Sequence, residues 1–282
     1  MTRRKTTQDR ADAWVGLRRL TAARIALGRA GTSLPTAPHL AFQLAHAHAR
    51  DAVHAHLDGE ALGETLRAAG HQVLQLASAA PDRTTYLQRP DLGRMLASQS
   101  RALLDRRKIM SGKAGPAPGA KPSFDAAIVI ADGLSALAVK RNAAGVVAAL
   151  VAALPPAEWK FAPVSIVAQG RVAVGDEIGQ KLGAALVVVL IGERPGLTSP
   201  DSLGAYLTWA PRIHRTDAER NCIANIRDGG QSHAAAAATL AYLMTEARRT
   251  KLSGVGLKDE TVAPRLGPGA RRNFLVEDGG AP

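Results

Sequence analysis

Apolar residues in this chain follow two rhythms, and the change between them falls near residue 124. Before that point they recur at helical spacing. An Ala- and His-rich stretch over residues 38–57 predicts a long helix. Pro90 can open another over residues 91–107, because proline is tolerated at the first helical position. Thr21 can cap a short helix that ends at Gly28 or Gly31. No run in this part has strand character, so residues 1–110 read as a helical N-terminal region.

After residue 124 strands and helices alternate. Residues 126–131 read Ala-Ala-Ile-Val-Ile-Ala, and residues 186–191 read Leu-Val-Val-Val-Leu-Ile. Continuous apolar runs rich in β-branched residues predict strands covered on both faces, hence a parallel sheet. Residues 164–168 predict a third strand. Between the strands, Asn142 can cap a helix over residues 143–154 that Pro155-Pro156 stops, and Gly183 ends a helix over residues 176–182. This order implies right-handed crossovers and an α/β class. Thr216-Asp217-Ala218-Glu219 has the capping-box pattern and predicts a helix to about Arg227. Ser232 can cap a last helix to about Leu252, closed by Gly254. Residues 111–123 carry three Gly and three Pro and read as the linker between the parts. Residues 258–282 are rich in Gly, Pro and charge and predict a mobile tail.

Composition narrows the class. Of 282 residues, 46% are hydrophobic and only 4% aromatic, which suits an Ala/Val/Leu core and excludes a disordered chain. The longest apolar stretch, residues 143–154, is shorter than the ~18 residues that cross a bilayer, so no membrane span is expected. The first ten residues are basic and polar, without the apolar core of a secretory signal. A single cysteine, Cys222, excludes an internal disulfide framework and a zinc ribbon, and a reducing cytoplasm is expected.

The net charge of +12 is open to three readings: nucleic-acid phosphate as partner, an acidic protein face as partner, or simply a basic proteome. The cations cluster at the N-terminus and around residues 101–108, without interleaved stacking aromatics. An acidic protein partner is therefore preferred and no nucleic acid is expected. Eight histidines raise a metal question. His46 and His48, like His54 and His56, are two apart and point to different helix faces. None forms a His pair with Glu at metalloprotease spacing, so no metal site is assigned.

Two polar loops end the strands, where open parallel sheets bind ligands. They are Asp132-Gly133-Leu134-Ser135 and Gly192-Glu193-Arg194-Pro195-Gly196-Leu197. Glu193 can accept a ligand hydrogen bond, pair structurally with Arg194 or cap the loop. Cys222 can be a thiol activated by Arg220 and a helix N-terminus, or a small buried packing residue beside Ile223 and Ile226; packing is preferred. The dinucleotide, Walker and nucleophile-elbow patterns are absent. No catalytic residue is assigned, and the chain reads as a binding subunit. The alternative is a standalone doubly wound domain for a nucleotide or another small ligand.

Five segments recur in one order in a known family: residues 23–31, 86–94, 132–135, 192–197 and 221–226. On these the chain closely resembles the small (light) subunits of ethanolamine ammonia-lyase, over residues 17–258. The resemblance implies an adenosylcobalamin-dependent lyase that converts ethanolamine to acetaldehyde and ammonia by a radical mechanism. It implies a large subunit whose barrel holds the substrate site, within a higher-order hetero-oligomer. The small subunit would cap the cofactor, with a Rossmann-like second part over residues 124–257 and an N-terminal region packed on the partner. Matching motifs assign cofactor contacts to Val172, Glu193 and Cys222. The Asp-x-His-x-x-Gly pattern that gives cobalt a histidine in many cobalamin domains is absent, and Asp176-Glu177-Ile178 puts isoleucine at its histidine position. Cobalt is then expected to keep the cofactor's dimethylbenzimidazole as lower ligand. The implied location is the cytoplasm. A bacterial microcompartment shell stays open, because the region before Trp14 is shorter than the extension some members carry.

Overall fold

The computed structural model describes residues 14–21, 23–110, 122–155 and 157–260. In chain order the elements are α1 (Val15–Arg18), α2 (Thr36–His54), α3 (Gly59–Ala68), β1 (Val73–Ala77), α4 (Arg83–Gln88), α5 (Ser98–Met110), β2 (Phe124–Ala131), α6 (Ala136–Ala153), β3 (Val164–Ala168), α7 (Val174–Leu182), β4 (Ala184–Gly192), β5 (Leu203–Trp209), β6 (Arg220–Ile226) and α8 (His233–Thr250).

The strands form one six-stranded sheet in the order β1-β3-β2-β4-β5-β6. The apolar runs of β2 and β4 lie at its centre, as their two-sided hydrophobicity requires. Helices α3, α6 and α8 cover one face, through Leu66, Val146 and Leu240 against Ile128 and Val188. Helices α5 and α7 cover the other, through Leu104 and Ile178 against Val129 and Val187. Because α6 and α7 lie on opposite faces, the loops after β2 and β3 diverge, and a crevice opens at those strand ends.

Two expectations about the sheet are corrected. It is mixed: β1, β3, β2 and β4 pair in parallel, but β5 pairs antiparallel with both β4 and β6. The N-terminal part is also not helical throughout, since β1 supplies an edge strand parallel to β3. Its Val-Leu-Gln-Leu-Ala sequence is short and only partly buried, so it carries little apolar signal of its own.

The helix expected after Thr216 is another correction. The capping box forms, with the Glu219 carboxylate accepting from the Thr216 N–H, but it closes one 3₁₀ turn, Asp217–Glu219. The chain then continues as β6. Ile223 and Ile226 are three apart, which imitates helical spacing. Their partners Ala205 and Leu203 are only two apart, so a bulge in β6 produces the spacing.

Helix α6 begins earlier than expected. Ser135, not Asn142, is its cap, with Oγ accepting from Ala138 N at 3.1 Å. Asn142 is buried within the helix and donates to the carbonyls of Ala138 and Asp201, each at 3.0 Å. At 18 residues, α6 is long and apolar enough to cross a membrane by length and composition. Its apolar face packs against the sheet and α8. Residues 23–26 are not helical, and α5 starts at Ser98 after a separate 3₁₀ turn, Leu92–Arg94. Most of the expected linker, residues 111–121, and the tail from residue 261 lie outside the described residues.

Candidate functional site

A cleft of about 530 Å³ opens where the carboxyl ends of β2 and β4 meet the start of α7. Its floor is backbone. Gly133 has φ +59°, and a Cβ there would lie 2.3 Å from the Gly192 carbonyl oxygen. That oxygen accepts from Leu134 N at 2.9 Å. A Cβ at Gly192 would in turn meet the Ser135 carbonyl oxygen at 2.1 Å. Only glycine permits this close approach of the two loops.

One wall is the segment between β3 and α7. Asp132, buried at the end of β2, accepts from the N–H groups of Gln169 and Gly170, each at 3.0 Å. Burial pushes its carboxyl up, and those two bonds with nearby Arg83 pull it back. Tyr86 supports the segment from below. Its hydroxyl donates to the Gly170 carbonyl at 3.3 Å, and the Arg83 and Arg171 guanidinium groups lie 4.8 and 4.5 Å from its ring centroid. Burial pushes the Tyr86 hydroxyl up to about 12. Arg171 N donates to the Gly93 carbonyl at 2.8 Å. These contacts hold Val172 at the cleft wall.

Glu193 stands on the opposite side, where β4 ends. Its N–H donates to the Ser202 carbonyl at 2.9 Å. One carboxylate oxygen, Oε2, accepts from the Ser202 hydroxyl and from Asn225 N at 3.1 Å. Of the roles left open for Glu193, pairing with Arg194 is not realised among the described residues, whereas the carboxylate does hold the neighbouring loops through Ser202 and Asn225.

Cys222 lies two strands further on, on β6, directly opposite Tyr206 in the β5–β6 ladder. Tyr206 lines the cleft, whereas Cys222 is not among its lining residues. Because β6 is a strand, no helix N-terminus faces the thiol. Arg220 is bound instead to Asp176. Desolvation pushes the thiol up, the Tyr206 hydrogen bond opposes this, and the Glu193 charge adds to it. An activated nucleophile is not built here. The buried packing residue is not realised either, for Cys222 is exposed.

The structure thus brings Val172 and Glu193 to one cleft, and Cys222 meets it only through its strand partner Tyr206. Tyr86, Tyr206 and Ser202 were missed by sequence reasoning. Tyr86 lies within one of the five recurring segments, so a signal existed for it; Ser202 and Tyr206 lie outside them. Among the described residues no group of three His, Cys, Asp or Glu could hold a metal ion.

Comparison with known proteins gives the family of the chain. The family model described as "Ethanolamine ammonia-lyase light chain (EutC)" matches residues 11–258. An ethanolamine ammonia-lyase small subunit of Ralstonia nicotianae is 57% identical over 264 residues, covering 94% of each chain. One of Azotobacter vinelandii is 57% identical over 271 residues, covering 94% of this chain and 96% of the relative. One of Xanthomonas campestris pv. campestris is 54% identical over 278 residues, covering 97% and 98%. The chain therefore belongs to the ethanolamine ammonia-lyase light-chain family, the small subunits of an ammonia-lyase.

Proposed function

We propose that this chain caps and holds adenosylcobalamin in an ethanolamine ammonia-lyase, with the substrate site in the large subunit. The observation that carries the reading is the meeting of Val172 and Glu193 in one open cleft, with Cys222 paired to the cleft-lining Tyr206. Corrin is a broad, mostly apolar disc fringed with amides. Val172 and Leu134 offer apolar contact, and Glu193 offers an acceptor for amide N–H groups. The residues present fit one face of the cofactor. The cleft is open on its outer side, as expected if a large subunit covers the other face.

When bound, the cofactor would supply radical chemistry through its cobalt–carbon bond for the conversion of ethanolamine to acetaldehyde and ammonia. This chain's part is positional: Val172 would give apolar contact, Glu193 would accept from a cofactor amide N–H, and Cys222 with Tyr206 would bound the site on the β5–β6 side. Ile178 is fully buried against the sheet, and its neighbours Asp176 and Glu177 are bound to Arg220 and Arg101. No histidine stands there, which supports dimethylbenzimidazole as the lower cobalt ligand.

We read β1 to β4 as a Rossmann-like cradle, the N-terminal region as a surface for the large subunit, and the location as cytoplasmic. Helix α2 supports that surface: Leu40, Phe42 and Leu44 on it are exposed, and only Ala52 is buried. The complex is a higher-order hetero-oligomer, and a microcompartment shell is not required by any residue described. The test is aldehyde release from ethanolamine with adenosylcobalamin, using this chain co-expressed with the large subunit against each chain alone. Activity only in the mixture is expected. Aldehyde release by this chain alone would overturn the capping role.

A further inference from the structure

Glu193 is held by one oxygen and open at the other. Oε2 takes the Ser202 hydroxyl and the Asn225 N–H, whereas Oε1 makes no hydrogen bond among the described residues. The carboxylate also lies against Gly204, where an added Cβ would sit 3.1 Å from Oε1 and 3.2 Å from Cγ. Ser202 is itself buried. Asn225 can donate because of the bulge in β6: it has no partner residue on β5, and its φ is 59°. A hydroxyl and a missing Cβ from the start of β5 and a freed backbone N–H from β6 thus converge on one side chain. A carboxylate that only filled space at a strand end would need none of them.

We propose that Ser202 is a positioning residue for Glu193, with Gly204 and the β6 bulge completing the clamp. Together they lock Oε2 and present Oε1 to an amide N–H of the bound ligand. This rests on the reading of Glu193 as a cofactor contact. The clamp removes rotamer freedom that Glu193 would otherwise lose on binding. It also restricts the ligand group to a donor, since an ionised carboxylate can only accept.

The test is equilibrium binding of adenosylcobalamin to the co-purified two-subunit complex, followed by dialysis and absorbance. Ser202→Ala is expected to raise Kd roughly three- to tenfold, the range for losing one hydrogen bond that orients a charged acceptor. In a Glu193→Ala background the same substitution should change nothing further, because nothing remains to be held. If the Ser202→Ala complex does not assemble, Gly204→Ala takes its place, since it displaces the carboxylate without removing a polar group. An equal effect of Ser202→Ala in both backgrounds would make Ser202 merely structural and overturn the proposal. So would unchanged Kd for Ser202→Ala while Glu193→Ala weakens binding. Unchanged Kd for Glu193→Ala would overturn the cofactor contact itself, and the clamp with it.

Discussion

Arg220 and Asp176 form a bidentate ion pair, at 2.7 and 2.6 Å, with each side chain only 2% exposed. It joins β6 to α7, the helix whose start forms one wall of the cleft. Burial pushes the Asp176 carboxyl up while Arg220 beside it pulls it back. Arg220 also donates to Thr208 Oγ1 and to the Arg215 carbonyl, each at 3.0 Å, so its charge is well distributed.

Removing one partner leaves a buried charge unpaired. Arg220→Met is therefore expected to destabilise the fold by about 3–5 kcal/mol, whereas Arg220→Met with Asp176→Leu should recover much of that loss. Denaturant midpoints of the single and double variants check it. A single variant within about 0.5 kcal/mol of the parent would be incompatible with the pair as described.

Tyr86 predicts alkaline sensitivity. Its hydroxyl is pushed from the ordinary 10.0 up to about 12, chiefly by burial, so the folded state favours the neutral phenol. The resulting contribution, about 2–3 kcal/mol, is fully present below pH 10 and is lost as pH rises through about 12. Unfolding measured across that window, with ultraviolet absorbance reporting tyrosinate, should show the loss in the parent and a smaller one in Tyr86→Phe. Equal slopes in both would assign the effect elsewhere.

Cys222 should be reachable but slow to react. It is exposed on β6, yet its thiol is pushed above the ordinary 9.0, so little thiolate exists at neutral pH. Labelling by a thiol reagent, followed by mass spectrometry, should be sluggish near neutrality and accelerate with rising pH. Adenosylcobalamin bound to the two-subunit complex should protect it. Fast labelling of the loaded complex would remove Cys222 from the cofactor contacts.

The lower cobalt ligand gives a further test. With Ile178 buried where other cobalamin domains have histidine, the electron paramagnetic resonance spectrum of bound paramagnetic cofactor should not change when protein histidines are isotope-labelled. A change in nitrogen coupling would mean that a histidine of the complex reaches cobalt.

Several elements were legible from local chemistry alone. The runs of β2, β3 and β4 are apolar on both faces, and a chain segment of that kind has few other places to go. Helix α7 ends at Gly183, which adopts the left-handed conformation that glycine favours. Helix α8 starts at Ser232 as its capping chemistry requires, with Oγ accepting from Ala235 N at 3.2 Å. The loops at Asp132 and Gly192 announced themselves by following such strands.

What the sequence determined by itself was the central strands, the helices that cross between them, and the family through its ordered motifs. Tertiary structure decided the rest, for reasons of pairing. The edge strand β1 exists because β3 offers it a ladder; its own five residues hold too little apolar surface to require one. Residues 220–226 carry a helical-looking spacing that only a bulge against β5 converts into a strand. That conversion moved Cys222 from an expected helix to the exposed edge of the sheet. The same pairing brought Asn225 and Ser202 onto one oxygen of Glu193 from positions 32 and 9 residues away. Contacts over such separations depend on strand register, and register is set by the whole sheet rather than by any local run.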